Sequence, residues 1–469
     1  MVSMQPCESN RTWKDLNWKR IHYRVRKLQK RIALAAVAQD WRKVSELQKV
    51  VYQSWYCRAA AVQRVTSRKN IRTPGIDGKF WFTDAEKYAA VEAMDYRNYT
   101  PRPFKRIYVP KDHDKTKTRP LSVPVIFDRA MQGLFLIAVD PVVESLADAH
   151  AYGFRKFRSS QDAAKDIIEH LGFDRGNIWV LKADVKECFD HLSHSWILEH
   201  APMNKQILGR ILTCGYQYKG EVFPTVEGMP QGGVLSPTFT TLVLCGFEDV
   251  LRRKYPGRRV QMVRFVDDFL FSADSRELLM SVVDDLRQFL AARTLELSES
   301  KTQILPISEG VDFIGWCFRR DGSIITARPT EQSISELRKR LRDVVDQSIN
   351  WTTKRLIRKL NGIVRGWSGY HKYLCSNDVF VQMDDELANM LWVRGFTRHP
   401  KHTSKWVYSH YWRYSYETGR KDFRSGDEYL LRFARIPTRV VEELDLSKNP
   451  YIDYRYFKQR VKTEYNYQR

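Results

Sequence analysis

The sequence predicts an α+β protein, with a mixed centre between two helical flanks. Three observations point that way. Residues 261–273 read as a strand, a tight turn carrying Asp267 and Asp268, and a second strand. Before about residue 70 and after Arg328, apolar residues recur at three-to-four spacing, the period of a helix face. The charge divides along the same lines. Residues 1–110 hold 23 basic and 9 acidic side chains (+14), residues 331–469 hold 27 and 17 (+10), and the centre is left at −1.

At 469 residues, 43% hydrophobic and 28% charged, the chain can bury a sizeable core in two to four domains. Its net charge of +23 favours a polyanionic partner. Seven cysteines are scattered with no C-x-x-C pair, so zinc knuckles and ribbons are not indicated. Odd-numbered, unpaired thiols fit a reducing compartment. No run has signal-peptide or membrane-span character, so the expectation is a soluble, cytoplasmic protein.

The elements follow in order. Val25, Leu28, Ile32, Ala35 and Ala36 mark one helix, with Arg24 and Lys27 on its basic faces. Val44, Leu47, Val51 and Trp55 mark a second. Thr73–Gly78 is a turn cluster. Residues 104–125 alternate as a basic hairpin, suited to triphosphate oxygens. A helix is expected from Asp128 to Glu144, and a strand over 178–184 that ends on Asp184. Gly228-Met229-Pro230-Gln231-Gly232-Gly233 forms a loop before an apolar helix, Phe239–Phe247. Another helix is expected over 276–295, and one strand over 313–318. Ile334, Leu337, Leu341, Val344, Leu356, Leu360 and Ile363 are again helical. The last seventy residues mix aromatic and basic side chains, which suits stacking and phosphate contact as well as a small aromatic-cored domain.

Asp267 and Asp268 are the focus. Two like charges on a hairpin flanked by Met262, Val263, Phe269, Leu270 and Phe271 repel one another and lose hydration. A divalent cation shared with a third acid would offset that cost; an exposed Asp-Asp turn is the alternative. His191, His194, His399 and His402 lack further ligands at metal spacing and are read as capping or packing residues.

Asp184 at a strand end, the Pro-Gln-Gly loop and the Phe265-Val266-Asp267-Asp268 hairpin occur in that order. Together they resemble the group II intron-encoded reverse transcriptase/maturase family, over nearly the whole chain. The resemblance implies a right-hand polymerase. An N-terminal helical extension would occupy 1–80, fingers and palm 81–328, a thumb or maturase X domain 329–399, and a small basic DNA-binding-like region 400–469. It implies RNA-directed DNA synthesis with two Mg²⁺ ions, or Mn²⁺ in their place. Partners would be a structured intron RNA as template, a DNA primer or target, and dNTPs.

By motif position, Asp184, Asp267 and the backbone carbonyl of Val185 would hold metal, and Asp268 would assist. Arg119 with Lys115 or Lys117 would meet the triphosphate. Phe189 would block a 2′-hydroxyl, Gln231 would line the nucleotide pocket, and Lys301 would lie near the primer. Arg24, Lys27, Arg365 and Lys372 would contact nucleic acid. The chain departs from the family's Tyr-Ala-Asp-Asp at Phe265 and Val266, and carries Ser122 where a glycine is usual. It also stops without a Cys/His-rich endonuclease domain, so a nick or replication fork would have to supply the primer. A host-adopted enzyme of repair or phage defence, and a splicing cofactor that only binds RNA, are the alternative readings.

Overall fold

A computed structural model describes residues 12–67, 73–110, 116, 118–171, 178–257, 260–374, 376–415 and 419–466. The N-terminal part is helical: α1 (Trp18–Val37), α2 (Trp41–Gln53), α3 (Trp55–Thr66) and α4 (Asp84–Ala93). A basic hairpin, β1 (Phe104–Pro110) and β2 (Thr118–Val123), leads to α5 (Ile126–Leu146) and α6 (Ser160–Leu171). Next come β3 (Trp179–Asp184), α7 (His194–His200), α8 (Lys205–Leu212), β4 (Tyr216–Tyr218) and β5 (Glu221–Phe223). Then follow α9 (Ser236–Leu244), α10 (Phe247–Lys254), β6 (Gln261–Phe265), β7 (Asp268–Ala273), α11 (Arg276–Ala291) and β8 (Gln303–Pro306). A three-stranded sheet, β9 (Val311–Phe313), β10 (Trp316–Asp321) and β11 (Ile324–Pro329), precedes the helices α12 (Glu331–Gln347), α13 (Thr353–His371), α14 (Asn377–Arg398) and α15 (Ser404–Tyr411). The chain closes with β12 (Trp412–Ser415), β13 (Arg420–Ser425), β14 (Glu428–Tyr429) and α16 (Tyr454–Asn466).

The central sheet has the order β6-β7-β3-β8 and the upstream sheet the order β2-β1-β4-β5. One core runs from Trp13 to Leu297 and joins the N-terminal helices to the central sheet. A second runs from Ile334 to Phe433. Packing crosses all three expected cuts: the first core spans 80 and the second spans 399, while Tyr370 and Leu374 pack across 328 against a third cluster, Tyr152–Ala327. Nor do residues 400–469 stand apart. Val407, Tyr411, Phe423 and Phe433 pack with α12–α14. Further on, Tyr451 donates to Asp140, Arg460 pairs with Asp162, and Phe457 stacks on Phe157 at 5.5 Å. The tail thus returns to α5 and α6.

The long helix α5 contains Pro141, which lacks the N–H that Ile137 would accept four residues earlier. Gln29 of α1 donates its side-chain amide to that carbonyl at 3.2 Å, and Gln48 of α2 donates to Ala138 at 3.3 Å. An orphaned buried carbonyl at Ile137 would cost about 1–3 kcal/mol, so Gln29 makes α1 a specific partner of the proline-bearing helix, and Gln48 adds a contact from α2.

Three sequence expectations are corrected. The apolar run 239–247 is two helices, broken at Gly246, whose φ of 94° no branched side chain adopts easily. The strand expected over 313–318 is a hairpin, turned at Ile314 and Gly315 with φ of 43° and 83°. The stripe ending in Trp55 crosses a helix break at Ser54. Apolar periodicity marks the inward side of a run but does not reveal a positive-φ corner or a cap.

Candidate active site

Strand pairing brings the carboxylates together. β3 and β7 run antiparallel with Asp184 directly opposite Asp268. β6 and β7 form the hairpin, closing on the pair Phe265 and Asp268, with Val266 and Asp267 in the turn. Alternation along β7 places Phe269 and Phe271 together on its inner face, stacked at 5.8 Å and wholly buried. Phe247 packs edge-on against both rings. The hairpin is thus anchored by an aromatic cluster while its tip carries charge.

That charge is poorly compensated by the chain. Burial pushes the Asp267 carboxyl above its ordinary range, and the Asp184 charge adds to the shift; Lys301 and Arg119 oppose it. Asp268 is pushed up to about 7, first by burial and then by the carboxylates of Asp267 and Asp184. Lys301 is the nearest cation, its Nζ 2.7 Å from Asp184 Oδ2. The hydrogen bond to Asp184 in turn raises the pKa of Lys301. Sequence reasoning put Lys301 near a primer; the structure places it on the first carboxylate. A buried set of carboxylate oxygens with one exposed lysine as counter-charge suits a hard divalent cation, which takes oxygen ligands and keeps other positions for water and phosphate.

Among the described residues, the trio of metal-capable groups within 4.8 Å of one another is His150, Asp166 and His170, not the three aspartates. Its two histidines both face Asp166, with His170 Nε2 3.4 Å from Asp166 Oδ1. Asp166 Oδ2 accepts from the Tyr152 hydroxyl at 2.7 Å and lies 2.8 Å from His150 Nδ1.

A cavity of about 270 Å³ between the upstream sheet and the Pro-Gln-Gly loop is lined by Phe189, Gln231, Arg106, Asp190 and Ser122 among others. Its walls are backbone held close. Met229 donates its N–H to the Phe189 carbonyl at 2.7 Å, and Ser122 donates its N–H to the Gln231 carbonyl at 2.6 Å. Gly232 has φ of 108°, and a Cβ there would come within 2.7 Å of the Ser122 carbonyl. The Pro-Gln-Gly loop therefore needs glycine to lie against β2. Phe189 is half-buried and meets the exposed ring of Phe154 edge-on at 6.3 Å. Arg119 is exposed on β2, opposite Val109. Lys115 and Lys117 fall outside the described residues. Val185 is buried next to Asp184 and bridges to Leu297.

The residues assigned to nucleic acid divide. Arg24, Lys27 and Arg365 are exposed, with Arg24 lying 4.3 Å over the Tyr56 ring. Lys372 is 9% exposed, and burial lowers its pKa. It packs at the end of α13, where its carbonyl accepts from Arg439, so it does not belong to a nucleic-acid surface. Its neighbours explain the Arg365–Tyr373 motif. Tyr370 stacks on Trp316 at 4.5 Å and donates to the Ile314 carbonyl at 2.7 Å. His371 lies among Trp316, Trp367 and Tyr370. The motif joins α13 to the β9–β10 turn. The histidines set aside as packing residues are placed accordingly: His194 Nε2 lies 2.7 Å from the Gly228 carbonyl, and His402 stacks on Trp406.

Sequence reasoning passed over Arg264 and Gly153. Arg264 is 2% exposed, behind the Asp267 turn. Gly153 lies against Val266 so closely that a Cβ would collide with it. The available signal was an arginine within the apolar run Met-Val-Arg-Phe-Val, a residue type that is seldom buried without a specific partner.

Residues 109–318, which contain all three aspartates, match the family described as reverse transcriptase (RNA-dependent DNA polymerase). Residues 13–94 match the N-terminal domain of reverse transcriptase, and residues 334–412 the group II intron maturase-specific domain. The chain belongs to the group II intron reverse transcriptase/maturase family. This reverse transcriptase is 27% identical to Protein YkfC of Escherichia coli K12 over 338 residues, 62% of this chain and 87% of that protein. It is 25% identical to the group II intron-encoded protein LtrA of Lactococcus lactis subsp. cremoris over 335 residues, 56% of this chain and 55% of LtrA. The match thus spans about half the length of LtrA. Maturase-like protein 1 of Euglena gracilis is 24% identical over 373 residues, 77% of this chain and 78% of that one. A solved telomerase from Candida albicans, in complex with a telomeric RNA fragment, aligns with a TM-score of 0.38 at 14% identity, covering 66% of this chain and 63% of that one. No helix among the described residues is long and apolar enough to cross a membrane.

Proposed function

We propose that this reverse transcriptase extends a DNA primer with dNTPs on an RNA template, and that its basic helical flanks grip a structured intron RNA as a maturase does. The observation that carries the reading is the strand register. It sets Asp184 opposite Asp268, with Asp267 in the adjoining turn, inside the reverse transcriptase domain. Asp184 and Asp267, with the Val185 carbonyl, would hold Mg²⁺ or Mn²⁺. When bound, a pair of such ions lowers the charge on the attacking and leaving oxygens of an in-line phosphoryl displacement.

The chain's own residues do the rest. Arg119, with Lys115 or Lys117, meets the triphosphate from the fingers hairpin. Phe189 floors the sugar pocket and leaves no room for a 2′-hydroxyl. Gln231 lines the same pocket and is held in place by the Ser122 contact. Lys301 balances the Asp184 carboxylate and would lie near the primer end. The raised pKa values of Asp267 and Asp268 mark where positive charge is wanted.

Primer extension by the purified chain on an RNA template, with Mg²⁺ and with chelator, tests the reading. Extension that needs the metal and all four dNTPs is expected; its absence under every primer tried would overturn it. The RNA grip is tested separately. Replacing Arg24 and Lys27 by alanine should lower the slope of log affinity against log salt by about two, one for each lost phosphate contact. An unchanged slope would remove α1 from the RNA surface.

A further inference from the structure

Arg264 lies on β6 with its guanidinium buried, 2% exposed. A charge in such a place is costly unless well paired. Its pairing is sparse. Nη1 donates to the Val266 carbonyl at 3.0 Å. Nη2 lies 3.8 Å from Asp148 Oδ2, beyond hydrogen-bond reach. Neither Nε nor Nη2 makes a hydrogen bond among the described residues. A methionine of similar length would fill the space with no charge to desolvate. What it would lack is a donor for the Val266 carbonyl.

Val266 is where a donor matters. It is the first of the two turn residues between β6 and β7, and its φ is 62°. Hairpins place glycine or asparagine at such positions, and a β-branched residue there is strained. The surrounding structure has to impose that conformation. It does so from two sides. On one side is the Arg264 hydrogen bond. On the other is the segment 148–153, which is laced to β6 through its backbone. Arg264 donates its N–H to the His150 carbonyl at 2.9 Å, and Tyr152 donates to the Arg264 carbonyl at 2.8 Å. This lacing brings Gly153 against the Val266 nitrogen and Cγ2 with no space for a side chain. The next residue along the turn is Asp267.

We infer that Arg264 is a positioning residue: its hydrogen bond to Val266 holds the strained turn in the conformation that presents Asp267 beside Asp184. Gly153 serves the same turn by leaving it room. The inference rests on the proposed reading of the carboxylates as the polymerase centre. It adds that Val266, where the chain leaves its family's usual pattern, is tolerated because the turn is clamped from behind.

The test compares Arg264→Met and Arg264→Gln in the full chain, each with Val266 and with Val266→Gly. Glycine accepts a positive φ without strain, so it makes the clamp dispensable. With Val266 present, Arg264→Met should lower kcat for primer extension by at least about tenfold, the scale of a reacting group displaced by a fraction of an ångström. The KM for dNTP should stay within about twofold, as an interaction that aligns rather than binds requires. Mn²⁺ affinity, read by electron paramagnetic resonance on the protein with primer and template but no nucleotide, should weaken in parallel. Arg264→Gln keeps an N–H donor and should retain more of both. In the Val266→Gly background, the further loss caused by Arg264→Met should shrink to about twofold or less, which a double-mutant cycle measures.

An equal loss in both backgrounds, or unaltered kcat and Mn²⁺ affinity, would overturn the inference by showing Arg264 to be only a packing residue. If Arg264→Met does not fold, the Gln pair decides in the same way. Failure of the unaltered chain to extend any primer would count against the functional reading, whereas the Mn²⁺ titration would still report on the clamp.

Discussion

The hairpin at Asp267 and the α13 junction at His371 are both buried polar places, built on opposite principles. At the hairpin, charge is concentrated. Asp184, Asp267 and Asp268 share one corner of a sheet, with Lys301 and Arg119 as the opposing cations. At the junction, charge is excluded. His371 is 2% exposed among Trp316, Trp367 and Tyr370, and burial alone lowers its pKa to about 4, so its imidazole is neutral. One place keeps unfavourable electrostatics, which a bound cation would turn into a function. The other gives up charge to make a rigid connection. The difference teaches where to look for chemistry in this fold: groups whose burial leaves their charge uncompensated, not groups that are merely buried and polar.

The contrast is open to attack at its strongest point. Asp267→Asn removes the proposed metal ligand and a repulsion together. Primer extension should fall by at least about a thousandfold, since several kcal/mol of transition-state charge stabilisation goes with the metal. The unfolding temperature should stay level or rise, because a like charge has left a buried corner. A large fall in both would mean that the aspartate holds the fold, and the contrast would fail.

The junction should respond to pH instead. His371 has a folded pKa near 4, against 6.5 for the free side chain, so the unfolded chain binds more protons between those values. Stability is therefore full above pH 6.5 and is lost as pH falls toward 4, by an amount on the order of 3 kcal/mol. Denaturant unfolding across that range, with His371→Phe as the reference, measures the loss; a flat profile for the unaltered chain would refute it.

The hairpin should show the opposite sign. Asp268 is raised from 3.8 to about 7, so here the folded chain binds more protons between those values. In chelator, this corner should gain stability as pH falls from 7 toward 4, and Mg²⁺ should erase the gain by stabilising the ionised form. The difference in unfolding between the unaltered chain and Asp268→Asn, with and without Mg²⁺, isolates the effect. A gain that Mg²⁺ leaves untouched would separate Asp268 from the metal corner.

The smallest effect concerns selection rather than rate. Phe189→Ala should reduce the preference for dNTP over rNTP by about ten- to a hundredfold, the range open to a steric pocket. Unfolding should change less than for a fully buried phenylalanine, because Phe189 is only half-buried. An unchanged preference would assign Phe189 to packing against Phe154.

Much of this was legible in the chain itself. Apolar alternation around Asp267 and Asp268 marks a buried hairpin, and a buried like-charged pair calls for a cation. The order of that hairpin after Asp184 and the Pro-Gln-Gly loop is what resembles the reverse transcriptase family, while the helices, strands and turns are read from the residues themselves. These are local patterns, set by periodicity, turn chemistry and the cost of burying charge, so one dimension suffices to read them.

Contacts between distant segments were not legible. Lys301 reaches Asp184 from 117 residues away. Gln29 satisfies a carbonyl that Pro141 leaves without a donor. Lys372, expected to contact nucleic acid from the family resemblance, is buried. The tail after 400 looked like a separate basic domain, but it packs with α12–α14 and returns to α5 and α6. Arg264 could be read as a residue out of place, and only the tertiary structure decided that the Val266 carbonyl is what it serves. The physical reason is the same throughout. A side chain's hydrogen-bonding and charge requirements are written in its type, but the group that meets them is chosen by packing, and packing is a property of the whole fold.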